Sequence, residues 1–294
     1  MSRELRVRSY AKINLGLEIT GRRNDGYHDL VSVMQTISLA DTLIFNPSDH
    51  ISVDSGVPEL VQEDDLIWKA AVALRDTTGT NQGIHVRVEK EIPSKAGLGG
   101  GSSNCATTLL VLSKIWKIGM PAETLAKIAA TLGSDIAFFL HGGTALTRGR
   151  GEMVESLPDA PARWVLLVNP RESLSTASVF QELRAEEHTN GSATLRLASR
   201  EREGMLDYKL MRNNLSLAAQ RLCPSIKPIL TELREYSSAT LMSGSGSTSF
   251  GLFENKQEAR AVEEMFVARN YNTLLCVFIP RHEVMREKLK TMYI

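Results

Sequence analysis

The first hydrophobic pattern along the chain alternates with a period of two. Apolar side chains occupy every second position from Ala11 to Ile19, which predicts a β-strand with one apolar face. Lys12 and Asn14 share the opposite face. Because a lysine on the solvated face of a strand is ordinary, this pattern alone favours a structural role for Lys12.

A turn-rich loop covers residues 21–28, with Asn24-Asp25-Gly26 as its tightest point. It predicts a return into a second strand over residues 30–39. Tyr27 and His28 stand at the exit of this loop. The pair either closes a hairpin, which is the more common arrangement, or stacks on and hydrogen-bonds a planar ligand.

The next patterns predict a strand, a loop and a helix in direct succession. An amphipathic helix is predicted over residues 65–74 and an alternating strand over residues 84–90. The strand leads into a glycine-rich stretch at residues 93–104, and an apolar run from 105 to 116 then predicts another helix.

Four of the five residues from 97 to 101 in this loop are glycines. Glycine lets backbone N–H groups approach an anion, and the first turn of a helix adds unpaired N–H groups and partial positive charge. Ser102 or Ser103 is the natural N-cap, which leaves the other hydroxyl for a phosphate or its metal. The loop has neither the Gly-Lys-Ser/Thr ending of a P-loop nor a dinucleotide fingerprint. A glycine-rich helix entry without a ligand remains the alternative.

A helix is predicted over residues 122–132, and Ser134-Asp135 precedes another apolar turn. Asp135 is either the cap of that turn or a carboxylate available for chemistry. The glycines of residues 142–152 flank a short strand with no helix after it, which predicts a hairpin.

The composition shifts near Pro158 and Pro161, which predicts domains at residues 1–158 and 159–294. The second domain is predicted to be an α+β unit with an antiparallel sheet. Its predicted strands include 164–168 and 273–279, with a further pair on either side of a Gly/Ser-rich turn at 243–247. Its predicted helices are 176–184, 213–222, 225–236 and 257–269. The polar residues 186–204 are predicted to form a loop or a small hairpin.

Composition excludes several classes of function. Lys+Arg and Asp+Glu both number 34, so no basic excess indicates a nucleic-acid or membrane partner. The first eight residues alternate charged and apolar side chains without an apolar core of signal-peptide length, and no apolar run elsewhere is long enough to span a bilayer. Its three cysteines are scattered without metal-ligand spacing, which predicts buried free thiols. We therefore expect a cytoplasmic protein. Our working expectation for its assembly, which composition does not decide, is a monomer or a weak homodimer.

Several of these motifs occur in one particular order, and together they resemble the GHMP small-molecule kinases. The match covers Ala11-Lys-Ile-Asn-Leu15, the glycine loop, Leu132-Gly-Ser-Asp135 and Ser243-Gly-Ser-Gly-Ser247. The resemblance implies a two-domain α+β fold, with an N-terminal domain like ribosomal protein S5 domain 2 and a C-terminal ferredoxin-like sandwich. It also implies phosphorylation of an alcohol with ATP and Mg²⁺.

The segment 21–28, the triple glycine and Gly149-Arg-Gly-Glu152 look like one branch of that family. This branch phosphorylates the 2-hydroxyl of diphosphocytidyl-methylerythritol in the non-mevalonate isoprenoid pathway. The resemblance implies catalytic roles for Lys12 and Asp135, with no protein metal ligand assigned. The implied ATP-binding residues are Pro93, Lys95, Ala96, Gly97, Leu98, Gly99, Gly100, Gly101, Ser102 and Ser103. The implied substrate-binding residues are Asn14, Tyr27, His28, Thr176 and Phe180.

The chain departs from the family pattern at two places. Asp65 stands where the family commonly has asparagine, and Asn213-Asn-Leu-Ser216 replaces Asn-Asp, an apolar residue and Glu. Neither change lies at the expected chemical centre. Two alternatives stay open: another GHMP kinase, acting on a mevalonate-type alcohol or homoserine, and a GHMP-fold binding protein without catalysis. The retention of both Lys12 and Asp135 argues against the second.

Overall fold

The computed structural model describes residues 4–57 and 60–289 and has an α+β architecture with two sheets. The strands are β1 (Leu5–Arg22), β2 (His28–Asn46), β3 (Ile51–Asp54), β4 (Ile84–Glu89), β5 (Thr144–Gly149), β6 (Met153–Ser156), β7 (Trp164–Asn169), β8 (Ala239–Met242), β9 (Ser249–Phe253) and β10 (Asn272–Val277). The helices are α1 (Leu66–Thr78), α2 (Gly100–Ile115), α3 (Ala122–Leu132), α4 (Ile136–His141), α5 (Thr176–Glu182), α6 (Ser192–Arg202), α7 (Ser216–Leu222), α8 (Ile226–Tyr236), α9 (Lys256–Ala268) and α10 (Arg281–Leu289).

The first sheet is built around the antiparallel pair β1 and β2, which runs from Leu5↔Phe45 to Arg22↔His28. The other edge of β2 pairs with β4 near its end and with β5 near its start. Helices α1 to α4 cover one face of this sheet with a continuous apolar core. The predicted strands, the hairpin β5–β6 and the helices α1 to α3 are confirmed apart from their exact ends.

The second sheet has the strand order β10-β7-β9-β8 and is antiparallel throughout, as predicted. Helices α8 and α9 cover one face. The opposite face packs against apolar side chains of β1 and β2. The middle of β1 is therefore buried on both sides, which places its polar side chains inside the protein. The predicted domain boundary near residue 158 stays a prediction.

An irregularity in β1 decides which way its side chains point. The register against β2 shifts between Tyr10 and Lys12. Before this bulge Val7 packs against the helices, and after it Ala11 and Ile13 pack against the second sheet. The bulge thus exchanges the two faces of the strand. The expectation of a solvated Lys12 is wrong, because the side chain is only 3% exposed.

The prediction of a loop or hairpin over residues 186–204 is also wrong, because helix α6 occupies most of this stretch. Its buried face carries small residues, including Ala193 and Thr194, and so gives a weak apolar pattern. A Cβ atom on Gly16 of β1 would lie 3.0 Å from the Thr194 side chain. The carboxylate of Glu18 accepts a hydrogen bond of 2.7 Å from the Thr194 N–H. Tertiary contacts therefore stabilise a helix that its own pattern does not predict.

Two further observations concern expectations from composition. All three cysteines are buried free thiols, as predicted. Among the described residues, no helix combines the length and the apolar character that crossing a bilayer requires.

Candidate active site

Lys12, Asn14 and Asp135 meet at the centre of the molecule. Lys12 Nζ lies 3.6 Å from Asp135 Oδ2 and donates a hydrogen bond of 2.7 Å to Asn14 Oδ1. Asn14 Nδ2 donates to Ser32 Oγ at 2.8 Å, and Ser32 Oγ donates to the Gly16 carbonyl at 2.6 Å. This chain of bonds fixes the orientation of the Asn14 amide and, through it, the ammonium group of Lys12. Ser32 is not evident from the sequence motifs.

Burial lowers the pKa of Lys12, and the carboxylate of Asp135 opposes this shift. Asp135 is less buried, with one third of its side chain exposed. It stands at the N-terminus of α4, but its side chain accepts no capping hydrogen bond. The carboxylate is therefore free to face the cleft, and the ammonium group of Lys12 lies beside it.

The glycine loop packs against the Gly/Ser-rich turn of the second sheet. Gly97 has φ 78°, and a Cβ atom there would lie 2.1 Å from the Ser243 carbonyl oxygen. Ser243 Oγ donates to the Gly97 carbonyl at 2.9 Å. Only glycine combines this conformation with so close an approach of two backbones. The turn at 243–247 thus packs directly against the glycine loop and holds its backbone in place.

The loop opens into α2 without a serine cap. The N-cap is Gly99, with φ 72° and no capping side chain, so the prediction of Ser102 or Ser103 as the N-cap is wrong. Ser103 is buried and donates to the Tyr10 carbonyl at 2.6 Å. The Ser102 side chain instead lines the cleft. Since Gly99 takes the cap position in the left-handed region, the serines fall within the first turn.

A buried carboxylate that the sequence motifs do not indicate holds both ends of the loop. Asp41 is fully buried, and its Oδ1 accepts hydrogen bonds of 2.8 Å from the Glu91 and Ile92 N–H groups. Its Oδ2 accepts from Lys90 Nζ and Asn104 Nδ2, both at 2.9 Å. Asp41 therefore ties the entry of the glycine loop to the first turns of α2.

Two adjoining cavities form the cleft. The first has a volume of about 560 Å³ and the second about 830 Å³. They share the side chains of Leu30, Ser102, Asp135, Thr176 and Phe180. Asp135 and Ser102 thus stand where the two cavities meet.

The first cavity contains most of the predicted ATP-binding loop. The loop residues along its wall are Pro93, Ser94, Lys95, Ala96, Gly97, Gly99, Gly100, Gly101 and Ser102. Leu98 has its side chain in the core, and its carbonyl accepts a hydrogen bond of 3.0 Å from the Lys12 N–H. Lys12 and Asn14 also line this cavity, whereas Ser103 does not.

The second cavity brings Tyr27 and His28 together with α5. The His28 ring lies 5.1 Å from the Phe180 ring and 5.9 Å from the His188 ring. Tyr27 is 53% exposed, and the Arg150 guanidinium lies 4.7 Å above its ring. Burial, and then the charges of nearby basic groups, lower the pKa of His28. This cavity therefore offers flat aromatic surfaces and a neutral imidazole.

Thr176 lies between the cavities. Its hydroxyl is 3.0 Å from Ser245 Oγ of the supporting turn. Arg150, from the Gly149-Arg-Gly-Glu152 motif, and His188, which no sequence motif singles out, also line the second cavity. Their positions depend on how β5 and the segment before α6 approach the loop at residues 23–27.

Family models match both parts of the chain. The N-terminal domain of the GHMP kinases matches residues 65–143, and the C-terminal domain matches residues 202–273. A relative from Thermodesulfovibrio yellowstonii, named 4-diphosphocytidyl-2-C-methyl-D-erythritol kinase, is 38% identical and covers 89% of this chain and 94% of its own. A relative of the same name from Enterococcus faecalis is 36% identical over 90% and 99% of the two chains. The chain belongs to the 4-diphosphocytidyl-2-C-methyl-D-erythritol kinase family of GHMP kinases.

Solved structures agree with this assignment. A crystal structure of 4-(cytidine 5'-diphospho)-2C-methyl-D-erythritol kinase has a TM-score of 0.80 and 32% identity, covering 93% of this chain and 99% of its own. A homoserine kinase from Cytophaga hutchinsonii has a TM-score of 0.74 at 18% identity, covering 95% of this chain and 96% of its own. The second likeness concerns the fold alone. The predicted two-domain GHMP kinase fold is confirmed.

The departures from the family pattern have definite positions in the structure. Asp65 caps α1, where its Oδ1 accepts a hydrogen bond of 2.7 Å from the Ile67 N–H, and it lines the first cavity. Burial raises the pKa of its carboxyl group. The other two departures are Asn214, whose Oδ1 accepts a hydrogen bond of 2.9 Å from the Ile19 N–H, and Ser216, the first residue of α7. The preceding Asn213 matches the family pattern, and its Nδ2 donates to the carbonyls of Met242 and Gly244, both at 2.8 Å.

Magnesium is compatible with the donors at the junction of the cavities. Mg²⁺ binds proteins through one or two carboxylates and completes its shell with water and substrate phosphates. Asp135 and Ser102 both present oxygen atoms there. Among residues 4–57 and 60–289, no group of three or more His, Cys, Asp or Glu side chains forms a metal cage. The described residues thus fit a phosphate-bound Mg²⁺ rather than a site made by protein alone.

Proposed function

We propose that this protein transfers the γ-phosphoryl group of ATP to the 2-hydroxyl of 4-diphosphocytidyl-2-C-methyl-D-erythritol, giving the 2-phosphate and ADP. One observation carries the proposal. Asp135 stands at the junction of two cavities, with the glycine loop in one and the Tyr27–His28 pair in the other. Phosphoryl transfer needs an alcohol and a phosphate donor that meet in line at one point.

The glycine loop is proposed to hold the phosphates of ATP. The first residues of α2, Gly100 to Ser102, line this cavity, and the N-terminus of a helix offers unpaired N–H groups and partial positive charge. Gly101 lines the cavity wall and has open space beside it, since a Cβ atom there would come no closer than 3.6 Å to its nearest neighbour, Leu66. ATP with Mg²⁺ would supply the phosphoryl group and neutralise its negative charge, and Ser102 and Asp135 at the junction of the cavities would offer it protein oxygens.

Asp135 is proposed to accept the proton of the 2-hydroxyl or to orient that hydroxyl for attack. The ammonium of Lys12 lies 3.6 Å from this carboxylate. It also places a positive charge close to the phosphoryl group during transfer. Asn14 and Ser32 hold Lys12 in this position.

The second cavity is proposed to bind the cytidine diphosphate part of the substrate. Tyr27, His28 and Phe180 offer rings on which a pyrimidine can stack, and Thr176 offers a hydroxyl group. Arg22 and Arg150 in the same wall supply positive charge for a diphosphate. Cytidine recognition is thus separated from ATP binding by the catalytic residues.

The deciding experiment is ADP release by the purified protein with magnesium ATP. Diphosphocytidyl-methylerythritol, mevalonate and homoserine are compared under identical conditions. Turnover confined to the cytidyl alcohol supports the proposal. Turnover with another alcohol alone would keep the chemistry and reject this substrate, whereas ATP binding without turnover would favour a binding protein. We further propose a cytoplasmic monomer or weak homodimer, which fractionation and light scattering test.

A further inference from the structure

One wall of the second cavity comes from two segments that are joined by a short connection. Helix α5 contributes Phe180, and the short 3₁₀ turn Ala185–Glu187 is followed by His188. Both rings contact His28. Neither segment belongs to a sheet. One backbone hydrogen bond of 3.0 Å, from the Thr189 N–H to the Ile19 carbonyl, ties the second segment to β1, and side-chain contacts from other elements hold the rest of the wall.

Asn214 supplies one set of these contacts. Its Oδ1 accepts a hydrogen bond of 2.9 Å from the Ile19 N–H, and its Nδ2 donates to the Ile19 carbonyl at 3.2 Å. The same Nδ2 donates to the Glu187 carbonyl at 2.9 Å. The amide therefore links the end of β1 to the segment that carries His188. A carboxylate could accept the first bond but could donate neither of the others.

Arg221 of α7 supplies the second set. Its Nη1 and Nη2 meet the two carboxylate oxygens of Glu187 at 2.7 and 2.9 Å. Its Nε lies 2.5 Å from Glu182 Oε1, and Nη2 also donates to the Glu182 carbonyl at 2.8 Å. Glu182 is the last residue of α5. One guanidinium therefore joins both segments of the wall.

The electrostatics of this cluster agree with a permanent contact. The Arg221 guanidinium lowers the pKa of Glu187 to about 2, and the two carboxylates raise the pKa of Arg221. The Glu187 side chain is only 13% exposed. A fork of two parallel bonds to a shielded carboxylate is stronger and better defined than an ordinary surface ion pair.

We propose that Arg221 and Asn214 are positioning residues that set the affinity for the alcohol substrate by holding Phe180 and His188 against His28. Neither residue lines either cavity, so each can affect the substrate only by changing the positions of Phe180 and His188. This inference rests on the proposed function, because it assigns the wall to the cytidine end of the substrate. It predicts a change in substrate binding without a change in the phosphoryl-transfer step.

The test compares Arg221→Gln with the wild-type protein in steady-state kinetics and hydrogen exchange. We expect the KM for diphosphocytidyl-methylerythritol to rise about tenfold, with the KM for ATP within about twofold and kcat within about threefold. We also expect faster exchange of the amides of residues 183–190. Arg221→Lys should recover little of the loss, because an ammonium group cannot form the fork to Glu187 and reach Glu182 as well.

Arg269→Gln is the matched control. Arg269 pairs with Glu232 between α9 and α8, away from both cavities, so its removal should leave both KM values and the exchange at residues 183–190 unchanged. If Arg221→Gln does not fold, Glu182→Gln removes one partner and leaves the fork, and we expect a rise in KM of about threefold. Asn214→Asp should raise the same KM.

Two results would overturn the inference: unchanged exchange at residues 183–190, or an equal rise in both KM values. Failure of the proposed function is separate, since it appears as a wild-type protein that does not phosphorylate the cytidyl alcohol. The exchange measurement then decides alone whether Arg221 holds the wall.

Discussion

The first and second cavities are built by different kinds of contact. In the first, the main chain of the glycine loop is held in place: the Gly97 backbone lies against the Ser243 backbone, and the Asp41 carboxylate accepts hydrogen bonds from the N–H groups at the start of the loop. In the second, side chains from distant segments meet one another, as His28 does with Phe180 and His188. The first cavity therefore depends on contacts of the main chain, whereas the second depends more on individual side chains. Substitutions at the junction should lower kcat, those in the first cavity should change the KM for ATP, and those in the second should change the KM for the cytidyl substrate.

The largest expected effect lies at the junction of the cavities. Asp135→Asn keeps the size of the side chain but removes the charge that would accept or orient the hydroxyl proton. We expect kcat to fall by roughly 10²–10⁴, as for the loss of a general base, with both KM values nearly unchanged. Asp76→Asn changes an exposed carboxylate on α1 and serves as the control. Wild-type turnover in Asp135→Asn would remove this residue from the mechanism.

The next effect tests the backbone contact in the first cavity. Gly97→Ala places a Cβ atom 2.1 Å from the Ser243 carbonyl in a left-handed conformation. We expect a loss of stability of roughly 2–4 kcal/mol from strain and displacement, together with a higher KM for ATP. Thermal unfolding and ATP kinetics measure both effects.

Gly119→Ala is the control for conformation alone. Gly119 has φ 63°, and a Cβ atom there would meet nothing within 4 Å. We expect it to lose only about 1 kcal/mol and to keep its ATP kinetics. Equal losses of stability in the two variants would show that the contact with Ser243 carries no special weight.

The phosphate loop was predictable because its signature is local. Glycines at consecutive positions before an apolar helix indicate a close backbone approach, and the structure has that loop. The position of Lys12 was not predictable by alternation, because a bulge after Tyr10 exchanges the faces of β1. The role of Asp41 was equally hidden, since its partners at residues 90–92 and 104 are distant in the sequence.

Helix α6 and the second cavity were harder to predict from the sequence, for a related reason. The buried face of α6 has one large apolar side chain, Leu197, among small residues and Glu201, so its hydrophobic pattern is weak. Tyr27 and His28 were identified through the family resemblance, and Arg150 lies in one of its motifs, but the approach of His188 depends on tertiary packing. The local sequence predicts which helices and strands form, but the residues that contact a given side chain depend on how those helices and strands pack.

A moderate effect is expected at the cytidine end. Tyr27→Ala removes the ring beneath the Arg150 guanidinium and a stacking surface of the second cavity. Aromatic stacking and cation–π contacts contribute about 0.5–2 kcal/mol, so the KM for the cytidyl substrate should rise roughly 3- to 30-fold. Tyr27→Phe keeps the ring and should stay near the wild-type value. A rise in the KM for ATP in Tyr27→Ala would contradict the separation of the two ends.

The smallest effect on activity is expected from Glu201 of α6, which lines neither cavity. Its carboxylate is buried with no hydrogen-bond partner among the described residues, and burial raises its pKa to about 7. Between its ordinary pKa of 4.5 and 7, the folded protein keeps a proton that the unfolded chain has lost. Stability therefore declines as the pH rises through this window.

Glu201→Gln removes this ionisation. We expect the variant to be more stable than the wild type by on the order of 2–3 kcal/mol at pH 8. The difference should shrink as the pH falls towards 4.5, with kcat and both KM values unchanged. Glu203→Gln, an exposed neighbour paired with Arg200, should change neither stability nor its pH dependence. Denaturant unfolding at several pH values measures the difference, and a gain that is the same at every pH would mean that packing, not ionisation, is its cause.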